Sequence, residues 1–233
     1  MPLKPNLTVR SHLTTDRQAV ELQFKKFILA QQYPCLGAKS TFRNDAYRFG
    51  HYETLGALSS AQALAADLLN FIHIKITMAG DFATFVAIFN QPTQLTEEAF
   101  ESLLWQQLSH LHQEDHCPWA ASADQDPGSN SFGFSFGGEA FFIVGLHAQS
   151  TRLARQFSRP TLVFNAHSQF EHLRTNGKFE KMQQVIRKRD KAWQGTINPM
   201  LANYGTASEA RQYSGRAVPN DWQCPFLHHN AHP

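Results

Sequence analysis

Cysteine is scarce in this 233-residue chain: Cys35, Cys117 and Cys224 are too few and too scattered for a disulfide framework. Long apolar runs are missing too. No stretch approaches the roughly 20 residues that span a bilayer, and Met-Pro-Leu-Lys opens no signal-peptide pattern. Charge is sparse, at 17% of residues with a formal net charge of +2, so no global field favours nucleic acid. Phosphate-binding glycine loops and a nucleophile elbow are absent. Phe134-Ser-Phe-Gly-Gly138 leads into a strand pattern, not a helix. These absences describe a cytoplasmic protein that neither spans a membrane nor binds nucleic acid. Phenylalanine, by contrast, is plentiful: 19 residues can line a pocket as well as fill a core.

The length suits one large domain with a substantial core. Residues 1–16 read as a flexible N-terminal arm, 17–226 as a single domain and 227–233, with His228, His229 and His232, as a mobile tail. Apolar spacing predicts a helix from Arg17 to Gln31, ended by Tyr33-Pro34. Ser59 or Ser60 is positioned to cap a helix over Ala61–Asn70, and Thr96 one that runs through Leu111. Asn165 or Ser168 is placed to cap a helix through Thr175, and a basic helix follows to about Trp193. From Glu171 to Lys191 there are seven Lys/Arg against three Asp/Glu, a pattern that usually means a solvated face. Extended segments fall at Tyr47–Tyr52, Phe82–Phe89, Ala140–Leu146 and Thr161–Phe164. Strands and helices mix without regular alternation, which predicts an α+β (mixed α/β) fold: a central mixed sheet covered by helices.

Several residues carry chemistry. His147 ends one strand and His167 follows another, and neighbouring strands are expected to deliver both to one edge of the sheet. Each can be a metal ligand or a hydrogen-bonded corner residue. His112 and His116 share a helical face beside Cys117, a zinc-like spacing that also suits a solvated helix end with His110. Cys224, before a proline, can donate a thiolate to haem iron or pack as a small apolar group. Cys35 reads as structural. Arg152 and Arg155 can hold anions. Glu209, Arg211, Tyr213 and Arg216 form either the wall of a charged site or a salt-bridge clamp. Phe132, Phe134 and Phe136 lie in an irregular stretch and read as an aromatic lid or as buried anchors.

Taken together, Tyr33-Pro-Cys-Leu-Gly-Ala-Lys39, Tyr47-Arg48, Phe134-Ser-Phe-Gly-Gly138, Phe141-Phe-Ile-Val-Gly-Leu-His147 and Val163-Phe-Asn-Ala-His-Ser-Gln-Phe-Glu171 resemble the bacterial YqcI/YcgG family. Asn198-Pro-Met-Leu201, Ser208 to Arg216 and Cys224-Pro-Phe226 complete the match. The family includes haem-dependent N-hydroxylases of guanidino compounds, of the guanitoxin and D-cycloserine pathway type. The resemblance implies haem b without covalent attachment and oxygen insertion at a guanidino nitrogen of arginine or a close relative. An electron donor or peroxide would be the partner, and homodimer formation is left open. On this reading His147 is the axial ligand, with His167 and Cys224 as rivals and His167 otherwise acting across the haem. Arg152, Arg155, Arg211, Arg216 and Tyr213 would contact the cofactor. Glu171, Glu209, Phe134 and Phe136 would face the substrate. The alternative is a haem-binding sensor or carrier without turnover.

Overall fold

Five strands, β1 (Tyr47–Thr54), β2 (Thr84–Gln91), β3 (Phe134–Phe136), β4 (Glu139–Leu146) and β5 (Thr161–Ala166), form one sheet in the order β1-β2-β5-β4-β3. This computed structural model describes the backbone of residues 7–201 and 206–226, and side chains from residue 15 onward within those ranges. β1 and β2 run parallel, and every other pair is antiparallel. A parallel neighbour requires a crossover, which α3 (Leu58–Ile74) supplies. The remaining helices are α1 (Leu7–Leu29), α2 (Leu36–Arg43), α4 (Glu97–Gln113), α5 (His167–Thr175), α6 (Phe179–Gln194) and the single turn α7 (Ala210–Tyr213). The fold is the mixed α/β arrangement expected from the sequence.

The central strands are apolar throughout because helices cover both faces. On one face Phe85, Ala87, Ile143, Leu162 and Phe164 pack against α3 and α4 through Leu64, Leu68, Phe71, Leu104 and Leu108. The alternate residues Val86, Ile88, Val144, Leu146 and Val163 meet Phe24 and Ile28 of α1 and Phe42 of α2. Thr96 caps α4 as expected, its Oγ1 accepting the Ala99 N–H at 3.2 Å. Gly137 and Gly138, at φ 62° and 75°, form the two-residue turn that joins β3 to β4 with the twist a hairpin needs.

Other local expectations change. α1 starts at Leu7 rather than Arg17, so residues 7–16 of the expected arm belong to the helix. α3 begins after Ala57, which makes no side-chain cap, while the Ser60 hydroxyl accepts from the Thr54 N–H at 3.3 Å. Asn165 lies within β5, and Ser168 donates to Glu139 at 3.0 Å, so neither caps α5. Phe132, Phe134 and Phe136 are 0–1% exposed. Their spacing of two is strand periodicity with one face in the core, so they pack as buried anchors rather than as a lid, and Phe134 and Phe136 lie off the walls of both cavities described below. The tail at 227–233 and residues 1–6 lie outside the described residues. Among those described, no helix is long and apolar enough to cross a membrane.

Candidate functional site

Antiparallel pairing of β4 and β5 separates the two histidines. Leu146 pairs with Thr161 and Phe141 with Ala166, so His147 and His167 emerge at opposite ends of the sheet. At about 3.4 Å per residue they stand roughly 20 Å apart. The expectation of a shared edge therefore fails: antiparallel neighbours send their C-terminal ends in opposite directions. His147 is 1% exposed, stacks on Phe100 at 4.4 Å, and has no hydrogen bond at either ring nitrogen. Burial lowers its pKa, overriding the Glu97 carboxylate and the Leu95 backbone, which favour the charged ring. It is a neutral core residue on the α4 side.

His167 belongs to a closed network. Its Nε2 lies 2.9 Å from Glu209 Oε1, and the Tyr213 hydroxyl is 2.5 Å from the same oxygen. That hydroxyl also accepts the Phe134 N–H and lies against the Phe141 carbonyl, both at 3.1 Å, so it sits inside the β3–β4 ladder. Burial, with Glu209 adding to it, raises the Tyr213 pKa well above its ordinary value and keeps the phenol neutral. A Cβ on Gly133 would fall 2.4 Å from His167 Cε1, so the imidazole occupies space that only glycine leaves. Glu209 and Tyr213 are thus tied to His167 and the hairpin rather than turned to a ligand.

The C-terminal arginines make the clamp contacts, and Arg211 also lines a polar cleft. Arg211 donates to the carbonyls of Pro219 at 2.5 Å and Trp222 at 3.4 Å and lies over the Trp222 ring. Arg216 holds one oxygen of Glu101 through Nε at 2.9 Å and through Nη2, while Ser214 donates to the other oxygen. Cys224 lines that polar cleft with Asp126, Arg211 and Trp222, and burial pushes its thiol up to about 12. Glu171 is exposed on α5. His112 packs on Trp119 and Phe226, and among the described residues no group of three or more His, Cys, Asp or Glu could hold a metal ion.

On the α1 and α2 side of the sheet lies a cavity of about 260 Å³, somewhat below the roughly 300–1,000 Å³ usual for small-molecule sites. Phe24, Phe42, Phe82, Phe142 and Phe170 give it aromatic walls, and Met182 and Ile186 of α6 cover it. Arg152 and Arg155, both singled out from the sequence, reach this cavity. Arg152 donates to Asp190 Oδ2 at 2.6 Å and to Thr196 Oγ1 and carbonyl oxygen at 3.0 Å. Asp190 Oδ2 also accepts the Asn198 N–H at 3.0 Å, so among the described residues both donors meet the same oxygen. Arg155 has carbonyl partners alone: Gly145 at 2.9 Å, Gln212 at 3.2 Å and Tyr213 at 3.3 Å. Burial lowers its pKa, while Tyr33, Cys35 and Asp190 favour its charge.

Tyr33 and Asp190 are cavity residues that sequence reasoning missed, and Cys35, read there as structural, lines the cavity with them. Cys35 is the N-cap of α2, its Sγ accepting the Ala38 N–H at 3.4 Å. Burial raises its pKa, although the N–H groups of Ala38 and Gly37 and the Arg155 charge pull the other way. Tyr33 is 5% exposed, lines the cavity, and its hydroxyl has no hydrogen-bond partner among the described residues. The available signals were modest: Pro-Cys before a helix start, and Met182, Ile186 and Asp190 at a spacing of four on a basic helix.

Comparison with known proteins places these elements in context. The profile described as the YqcI/YcgG family matches residues 24–227. The uncharacterized protein YqcI of Bacillus subtilis (strain 168) is 31% identical over 206 residues, covering 84% of this chain and 81% of YqcI. The uncharacterized protein YcgG of the same organism is 28% identical over 208 residues, with the same coverage of each chain. No solved structure matches. The matched span includes both histidines and every residue of the aromatic cavity, and the chain belongs to the YqcI/YcgG family.

Proposed function

We propose that this chain is a haem-dependent monooxygenase that N-hydroxylates the guanidino group of arginine or a close relative, with the aromatic cavity as its site. One observation carries the reading: the cavity combines aromatic walls with a sulfur donor and a buried guanidinium–carboxylate pair. That donor set fits a haem. Aromatic and aliphatic walls suit an apolar macrocycle, Cys35 is a soft ligand, and Arg155 is a cation able to face a propionate or a substrate carboxylate. His147 and His167 lie off these walls and are set aside as donors.

Bound haem would supply the activation of dioxygen. In overall balance one oxygen atom enters a guanidino N–H bond and the other leaves as water. Two electrons and two protons come from an external reductant. Asp190, rather than Glu171 or Glu209, is the carboxylate for the guanidinium: it lines the cavity, and among the described residues its hydrogen bonds fall on Oδ2. Its Oδ2 already holds the guanidinium of Arg152, so the chemistry of the match is present within the chain. Met182 and Ile186 exclude water on the α6 side.

The test is protein expressed with ample haem supply. A Soret band that shifts on adding arginine, with hydroxyarginine formed under a reductant and oxygen, is expected. A colourless protein refutes the haem site. A haem-bound protein with neither shift nor product leaves the sensor or carrier reading in its place.

A further inference from the structure

We infer that Cys35 ligates the haem iron as a thiolate, held at the N-cap of α2 and balanced by Arg155; this rests on the haem reading above. Four observations converge. The sulfur lies on the cavity wall and already receives the Ala38 N–H at 3.4 Å, with the Gly37 N–H also favouring negative charge there. Arg155, on the same wall, interacts electrostatically with Cys35 and Tyr33 and has no carboxylate partner. Tyr33 brings an unpartnered hydroxyl, on a side chain 5% exposed, to the same place. Finally, Asp190 is already paired with Arg152, and among the described residues the hydrogen-bond partners of the Arg155 guanidinium are carbonyl oxygens, so its charge is free to favour an anion in the cavity.

Burial favours the thiol over a free thiolate, so Cys35 is poorly suited to be a free nucleophile. On ligation the Sγ–H bond breaks, an Sγ–Fe bond forms and the proton leaves to solvent, with no change of oxidation state. The other cysteines are elsewhere: Cys224 lines the polar cleft, and Cys117 is exposed beyond the end of α4.

The experiment compares absorption spectra of the ferrous carbon-monoxide complex in haem-loaded wild type, Cys35→Ser, Cys35→His and Cys224→Ser, with circular dichroism to confirm folding. Sulfur ligation moves the Soret band to longer wavelength than nitrogen ligation. The expected result is a sulfur-type band in wild type and Cys224→Ser, its loss in Cys35→Ser, and a nitrogen-type band in Cys35→His. A nitrogen-type band in wild type, or a sulfur-type band that survives in folded Cys35→Ser, overturns the assignment while leaving the haem reading intact. Wild type that takes up no haem overturns both. Should Cys35→Ser not fold, the wild-type and Cys224→Ser spectra decide: sulfur-type bands in both support Cys35, and loss in Cys224→Ser refutes it.

Discussion

Replacing His147 with leucine separates a core histidine from a cofactor ligand. The imidazole is 1% exposed with neither nitrogen hydrogen-bonded, and it stacks on Phe100 at 4.4 Å. An unsatisfied buried polar group costs about 1–3 kcal/mol, whereas leucine has a similar volume and no polar atom. Near neutral pH the variant should therefore equal wild type or exceed it by about 1 kcal/mol, after allowance for imperfect repacking. The difference should grow in acid. Burial places the folded-state pKa of His147 below its ordinary value of 6.5. As pH falls below that value the unfolded chain takes up the proton first, so stability present above it is lost down to the folded-state pKa. One proton contributes at most about 1.4 kcal/mol per pH unit.

Urea titrations at about pH 7.5 and about pH 5.5 should show the advantage of the variant widening, within the ceiling of about 1.4 kcal/mol per pH unit. A variant more than about 2 kcal/mol less stable near neutrality, beyond what volume-conserving swaps cost, would refute the argument. So would an unchanged gap at the two pH values. Loss of haem colour in His147→Leu would restore His147 as the ligand.

Tyr213→Phe removes a hydroxyl that serves Phe134, Phe141 and Glu209; a loss of about 2–4 kcal/mol is expected from urea midpoints at constant slope, since buried groups left unpaired cost about 1–3 kcal/mol each. Because the folded-state pKa of Tyr213 is raised above its ordinary value of 10.0, wild-type stability is full below that pH and declines above it, and Tyr213→Phe should lack that part of the decline. Asp190→Asn breaks the buried pair with Arg152 and should cost about 3–5 kcal/mol, whereas Asp190→Leu combined with Arg152→Met should recover most of it; additive losses in that double variant would show that the two do not act as a pair.

The sheet was legible because its central strands are apolar runs bounded by turn residues, and Phe82–Phe89 and Ala140–Leu146 could be little else. The Thr96 cap was legible because a hydroxyl and two acidic residues stand before an amphipathic stretch. Strand direction was not. Nothing local in Gly145-Leu-His147 or Asn165-Ala-His167 says that β4 and β5 run opposite ways, and that one fact moves the histidines apart. α2 escaped notice because a helix of eight residues, Leu36–Arg43, offers barely two turns of periodicity behind Pro34. Cys35 was read as structural without its place being known, since an N-cap is visible only once the helix is. Glu209, Arg211, Tyr213 and Arg216 stood between two readings because composition cannot tell an arginine facing a ligand from one that closes a loop. Carbonyl geometry decides that, and it lies in the tertiary fold.

The polar C-terminal segment nevertheless bears on the cavity. β3 pairs with β4 only from Glu139 to Phe141, which leaves the far half of β4 without a strand neighbour on that side. Such an edge has unpaired backbone groups that must be covered. α7 covers it: the Tyr213 hydroxyl enters where β3 ends, and Arg155 joins the Gly145 carbonyl to those of Gln212 and Tyr213. Gly215, at φ 84°, lets the chain turn against the stem of Arg155, where a Cβ would come within 3.2 Å. The same guanidinium is the unbalanced charge beside Cys35 and Tyr33. The segment from Ser208 to Arg216 therefore contributes one side chain, Gln212, to the cavity wall, and supports the charge at its centre from behind.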